Sequence, residues 1–186
     1  MTVLYIATRY ITFVGALLRT LWEQAACRIC LVPIEEVRPL RADELCGHVE
    51  HELTRKLLQT FLICWLPFTM NFLIGCSFLL TGAYRLFYIG ETTALQAYGL
   101  VWLGVSLLAN CTCSFEDALS LKEQIYGGKN QILKVLLAPF FAVCYATSFL
   151  ERYSLTFVLS IAFAVVFPNI FNLLFPAIES LVKVIS

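Results

Sequence analysis

The stretch LLQTFLICWLPFTMNFLIGCSFLLTG, residues 57–82, carries no charged side chain and is long enough to cross the roughly 30 Å hydrocarbon core of a bilayer as a helix. Reading outward from it, four more apolar runs appear, at 3–22, 92–112, 132–150 and 153–178. Of the 186 residues, 60% are hydrophobic and 14% charged, whereas soluble domains carry about 25% charged residues. Too few polar side chains remain to cover a water-facing surface, so lipid is the expected cover. The expected fold class is an all-α polytopic transmembrane helix bundle of about five spans. Pro168 and Pro176 each remove a backbone donor from the last run and tend to kink a helix, so beside the one-span reading stands the alternative of a span plus a re-entrant or surface piece. The first run is long and lacks a basic segment followed by a small-residue cleavage site, so it reads as a retained span.

Lys plus Arg and Asp plus Glu both number 13, a balance that gives no reason to expect a nucleic-acid partner. Position matters more than sum. Arg28, Arg38, Arg41, Arg55 and Lys56 flank the polar stretch after the first run, and Lys122 and Lys129 the one after the third. The alternate side has chiefly Arg85 and Arg152. By the positive-inside rule, loops 23–56 and 114–131 are expected to be cytoplasmic, with the N-terminus outside. Between Cys27 and Lys56 there is room for a small hairpin or loop and not for a domain. Cys64, Cys76 and Cys144 fall inside apolar runs and read as packed thiols. The pairs Cys27/Cys30 and Cys111/Cys113 lack the second half of a zinc site and read as structural.

The segment Thr12-Phe13-Val14-Gly15-Ala16-Leu17-Leu18-Arg19-Thr20-Leu21-Trp22-Glu23 puts two charges in the first run. On a helix, Arg19 and Glu23 are four apart and share a face. Composition favours a shorter span, with Arg19 snorkelling to the interface and Glu23 in water. The segment also resembles the first catalytic helix of the site-2-protease-like intramembrane zinc metalloproteases, in which a proline-glycine turn leads into H-E-x-x-H. Val14 stands at the proline, Gly15 at the glycine, Arg19 at the first zinc histidine, Thr20 at the general-base glutamate and Glu23 at the second histidine. Further on, Gly47-His48-Val49-Glu50-His51-Glu52 is similar to a G-Y-V-x-H-E stretch of some members. Pro67 and Asn71 resemble the G-P-x-x-x-N helix. Trp102-Leu103-Gly104-Val105-Ser106 with Cys113-Ser114-Phe115-Glu116-Asp117-Ala118 resembles W-L-G-I-S…P-S-x-x-D-A, in which the aspartate is the third zinc ligand; Asp117 matches it and Cys113 replaces the proline. The resemblance covers roughly residues 10 to 120, so the chain divides into a degenerate membrane core, 1–130, and C-terminal membrane helices, 131–186.

At these degenerate metal-site positions, a guanidinium has no lone pair for a metal and the Thr20 hydroxyl is no base near neutrality. The resemblance therefore implies no zinc, no other cofactor and no peptidase activity: a pseudoprotease. Arg19 is expected to act as a built-in cation, neutralising Glu23 and Asp117 and clamping the first span to the end of the third. His48, His51, Pro67 and Asn71 are the candidate groove or mouth residues. The bland readings are solvated histidines beside Cys46 and Glu50, and a proline kink with Asn71 bonding the freed carbonyls.

The expected function is that of a binding or scaffold subunit for a membrane-protein partner. Two alternatives stand beside it. One is an active zinc peptidase with unconventional ligands such as His48, His51 and Asp117; the other is a small channel or transporter subunit whose polar path is lined by Arg19, Glu23 and Asn71.

Overall fold

The computed structural model describes residues 2–40, 47–54, 56–90, 93–128 and 131–185, with side chains through residue 170 except at Thr2 and Tyr88. Among them are helices α1 (Thr2–Ile11), α2 (Phe13–Ile29), α3 (Leu57–Tyr84), α4 (Leu95–Ala109), α5 (Phe115–Gly127), α6 (Gln131–Arg152) and α7 (Leu155–Ile185). Two strands, β1 (Ile34–Arg38) and β2 (His48–His51), lie between α2 and α3. The fold is thus mostly helical and compatible with the all-α expectation, and the stretch between Cys27 and Lys56 holds the small hairpin that its length allowed. Two helices, 57–87 and 131–152, are long and apolar enough to cross a membrane; 95–109 and 155–170 are shorter apolar helices.

α3 is the axis of the bundle. It continues through a π-helical turn, Arg85–Ile89, that ends at left-handed Gly90. α4 returns antiparallel along it, because Gly82 meets Ala97 and Gly75 meets Gly104. A side chain at Gly104 would lie 2.8 Å from the backbone nitrogen of Leu79, so glycine is what lets these two backbones meet; small residues serve this purpose wherever membrane helices pack closely. α2 also runs antiparallel to α3, with Gly15 against Asn71 and with Ala26 and Cys27 packed on Ile63. α7 covers the other side, placing Ala164 on Leu79 and Phe163 near Phe72.

The first apolar run divides into α1 and α2. It breaks at Thr12 (φ −105°, ψ 35°), where the Asn110 side chain donates to Thr12 O (3.2 Å) and Oγ1 (2.8 Å). A side-chain amide thus binds Thr12 at the break, where the Thr12 amide and carbonyl still bond Thr8 O (2.9 Å) and the Ala16 amide (3.2 Å). Past the break, α2 extends to Ile29, so Glu23 lies well inside a helix. α7, by contrast, runs as one helix through Pro168 and Pro176, in place of the alternative of a broken last segment; helices absorb such prolines by local adjustment.

The two polar stretches are ordered where described. Residues 114–131, expected as a loop, contain α5. Ser114 caps it by accepting from the Asp117 amide (3.1 Å), and Glu116 and Asp117 fill the first turn where the helix dipole favours acids. β1 and β2 pair antiparallel with Ile34 opposite His51, Val37 opposite Val49 and Arg38 opposite His48, and a bulge sits between Ile34 and Glu36. This hairpin lies against α2. Its base meets α2 near Ala26 and Cys27 through Ile34, while Gly47, beside its tip, packs on Ala16 and approaches Arg9.

Candidate functional site

Arg19 is fully buried (0% exposed), so it does not snorkel to the interface. Each of its three nitrogens has a partner. Nε donates to Glu23 Oε1 (3.2 Å), Nη1 to Glu151 Oε1 (2.8 Å) and Nη2 to His48 Nδ1 (2.8 Å). Two carboxylates and an imidazole, all side chains that commonly bind zinc, therefore surround a guanidinium. Glu23 is buried with it and takes a second bond at Oε2 from the Val49 amide (2.8 Å). That bond fastens β2 to α2.

Glu151, near the end of α6, is where the donors converge. Besides Arg19, it accepts from Thr112 Oγ1, pairs with Arg9 and lies 3.3 Å from His48 Nε2. Arg9, on α1, also donates to Asn110 Oδ1 and lies over the Tyr5 ring, 4.9 Å from its centroid. The cluster holds the guanidiniums of Arg9 and Arg19 and the carboxylates of Glu23 and Glu151, and so is neutral when His48 is. Burial pushes the His48 imidazole below its ordinary value, and the Arg19 charge adds to that push. With Nδ1 accepting from Arg19, the ring proton sits on Nε2, directed at Glu151. Neutrality is what makes such a cluster tolerable in low dielectric, where an unmatched charge costs several kcal/mol.

Asp117 is elsewhere. Its Oδ1 lies 3.3 Å from His51 Nε2, and its Oδ2 accepts from Ser114 Oγ (2.6 Å). The expected clamp between Arg19 and Asp117 is therefore corrected: Glu151 and His48 take the place assigned to Asp117, because the loop after α4 puts Asp117 in the first turn of α5, bonded to the Ser114 cap. The His51 Nδ1 donates to the Glu52 carbonyl (2.9 Å). Burial alone would depress His51, but the hydrogen bond and charge of Asp117 outweigh it and raise the imidazole to about 9. Both ring nitrogens face oxygen acceptors, which only the doubly protonated ring satisfies.

Neither histidine is solvated as the bland reading expected; His48 is buried in β2 and the His51 ring is enclosed. Cys46, considered beside them, lies outside the described residues, as do Arg41, Arg55 and Lys129. Thr20 bonds back to the carbonyls of Ala16 (3.2 Å) and Leu17 (2.8 Å) and faces none of the charged groups by hydrogen bond. Asn71 does not satisfy carbonyls freed by Pro67. Its Nδ2 donates across the bundle to Gly15 O (3.3 Å) and Asn110 O (2.8 Å), tying α3 to both α2 and the end of α4. Pro67 is buried inside an intact α3.

Zinc chemistry can be judged on this geometry. The Arg19 guanidinium fills the space on which Glu23, His48 and Glu151 converge, and a cation there would meet a fixed positive charge. The alternative set His48, His51 and Asp117 is divided, with His48 on Arg19 and His51 on Asp117. Among the described residues no group of three such side chains is placed to hold a metal ion. The seven described cysteines are free thiols.

Sequence reasoning missed Arg9, Asn110, Thr112 and Glu151. Arg9 was visible as a charge inside an apolar run, which by itself marks a site. Asn110 ends such a run. Glu151 stands beside Arg152 at the end of another and gives no signal to separate it from an ordinary interfacial acid. Comparison with protein family models, with curated proteins and with solved structures finds no match for this chain.

Proposed function

We propose that the chain is a catalytically inactive, site-2-protease-like integral membrane protein that binds or scaffolds a partner membrane protein. The observation that carries this reading is the three-way engagement of the Arg19 guanidinium by Glu23, His48 and Glu151. A resident cation that belongs to the polypeptide supplies the cohesion a metal would supply, without an open coordination position or an activated water. The sequence frame around it, from Gly15 to Asp117, is the part that resembles the family.

In this reading the chain crosses the bilayer about five times, with loops 23–56 and 114–131 on the cytoplasmic side. A groove shaped for transmembrane segments then holds a partner helix without cleaving it. Purification from native membranes in mild detergent tests this. A stoichiometric membrane-protein companion and no zinc by elemental analysis support it; a protein that always runs alone, or one that carries zinc lost in His48→Ala, overturns it.

A further inference from the structure

The two histidines of the hairpin are three residues apart and face opposite kinds of neighbour. At the tip, His48 Nδ1 lies 2.8 Å from Arg19 Nη2 and 3.3 Å from Glu23 Oε1. One ring nitrogen thus has a donor and an acceptor within reach, and its protonation state chooses between them. At the base, both nitrogens of His51 face acceptors, Asp117 and the Glu52 carbonyl.

We propose that the β1–β2 hairpin is a clasp whose tip releases from the bundle on mild acidification while its base stays latched. A proton taken from solvent by the His48 Nδ1 lone pair removes the acceptor of Arg19 Nη2 and turns that nitrogen toward Glu23. The charged groups facing His48 are Arg9 from α1, Arg19 and Glu23 from α2, and Glu151 from α6. They sum to zero, so the added proton leaves the buried cluster with one excess positive charge. Release of the tip gives that charge to water. The bond released with it is the one from the Val49 amide to Glu23.

The direction of the pH effect follows from linkage. The docked His48 is held below its free value of about 6.5, so tip docking is at full strength above about pH 6.5. Below that it weakens by about tenfold per pH unit, for one proton, until the docked ring itself titrates. His51 has the opposite sign: raised to about 9, its pairing with Asp117 is at full strength below about pH 6.5 and is lost as pH rises toward 9. Between these limits both ends hold. Below them only the tip lets go, and the hairpin pivots on its base.

The chain has two histidines, so ring nitrogen NMR of the full-length protein labelled with [15N]histidine, in phosphatidylcholine nanodiscs, resolves both. At pH 7.5 one neutral ring with its proton on Nε2 and one imidazolium are expected. On acidification to pH 5 the neutral ring becomes an imidazolium, and exchange of the Val49 amide, corrected for its intrinsic pH dependence, quickens about tenfold or more. In His48→Gln, whose amide oxygen still accepts from Arg19, Val49 exchange stays slow at both pH values. The proposal is overturned by a His48 ring that stays neutral to pH 5, by unchanged Val49 exchange, or by the same quickening in His48→Gln. Should that variant not fold, the wild type decides: a shared midpoint for the ring and the Val49 amide supports the clasp, and separate midpoints refute it.

Discussion

Arg19 changes meaning between sequence and structure, and the reason lies in a residue 132 positions away. From the sequence it was legible that Arg19 and Glu23 share a helix face, and the structure pairs them; a local Arg-then-Glu pair is worth only a few tenths of a kcal/mol. What fixes Arg19 is Glu151, which no local pattern connects to it. A double-mutant cycle separates the two geometries. Arg19 and Glu151 should couple strongly, with either single neutralisation costing about 3–5 kcal/mol because it strands a buried charge. Arg19 and Asp117 should show almost none, as measured by reversible unfolding in detergent. Gly15 makes a second prediction at this scale. A methyl group there would lie 1.9 Å from the Ser106 carbonyl oxygen, while the Gly15 amide already donates to Ser106 Oγ (2.9 Å). Gly15→Ala should therefore force α2 and α4 apart and cost about 3 kcal/mol or more. The family resemblance pointed to Gly15 for a turn; the structure uses it for close approach.

At the scale of elements, most apolar runs were legible because length and absence of charge are strong signals. α5 was missed, although its Ser114-x-x-Asp117 start is a capping signature, because the surrounding polarity and the two glycines read as loop. Ser114→Ala should cost about 1 kcal/mol through the lost cap, and should also loosen Asp117 from His51, seen as a His51 ring that titrates below about 9. The end of α2 carries an avoidable strain. Leu31 N donates to Arg28 O (3.2 Å) and Val32 N to Cys27 O (2.9 Å), a closure that puts Leu31 at φ +56°. This left-handed position favours glycine, and the Leu31 side chain is exposed. Leu31→Gly should raise stability by about 1 kcal/mol, read as a higher unfolding midpoint.

At the scale of the whole molecule, the charged cluster draws one member each from α1, the hairpin and α6, and two from α2. Such convergence is what a linear reading cannot supply, since each charge taken alone fits a snorkelling or interfacial role. It also explains why a division of the chain at residue 130 separates helices and yet cuts through a single charge network. Ribosomal synthesis delivers residues 9, 19, 23 and 48 long before residue 151. Until α6 emerges, the nascent chain holds two arginines and one glutamate destined for the same low-dielectric place, a surplus that a half-made protein must keep hydrated or hand to another protein. The last acid to arrive thus sets the moment at which the first helices can settle.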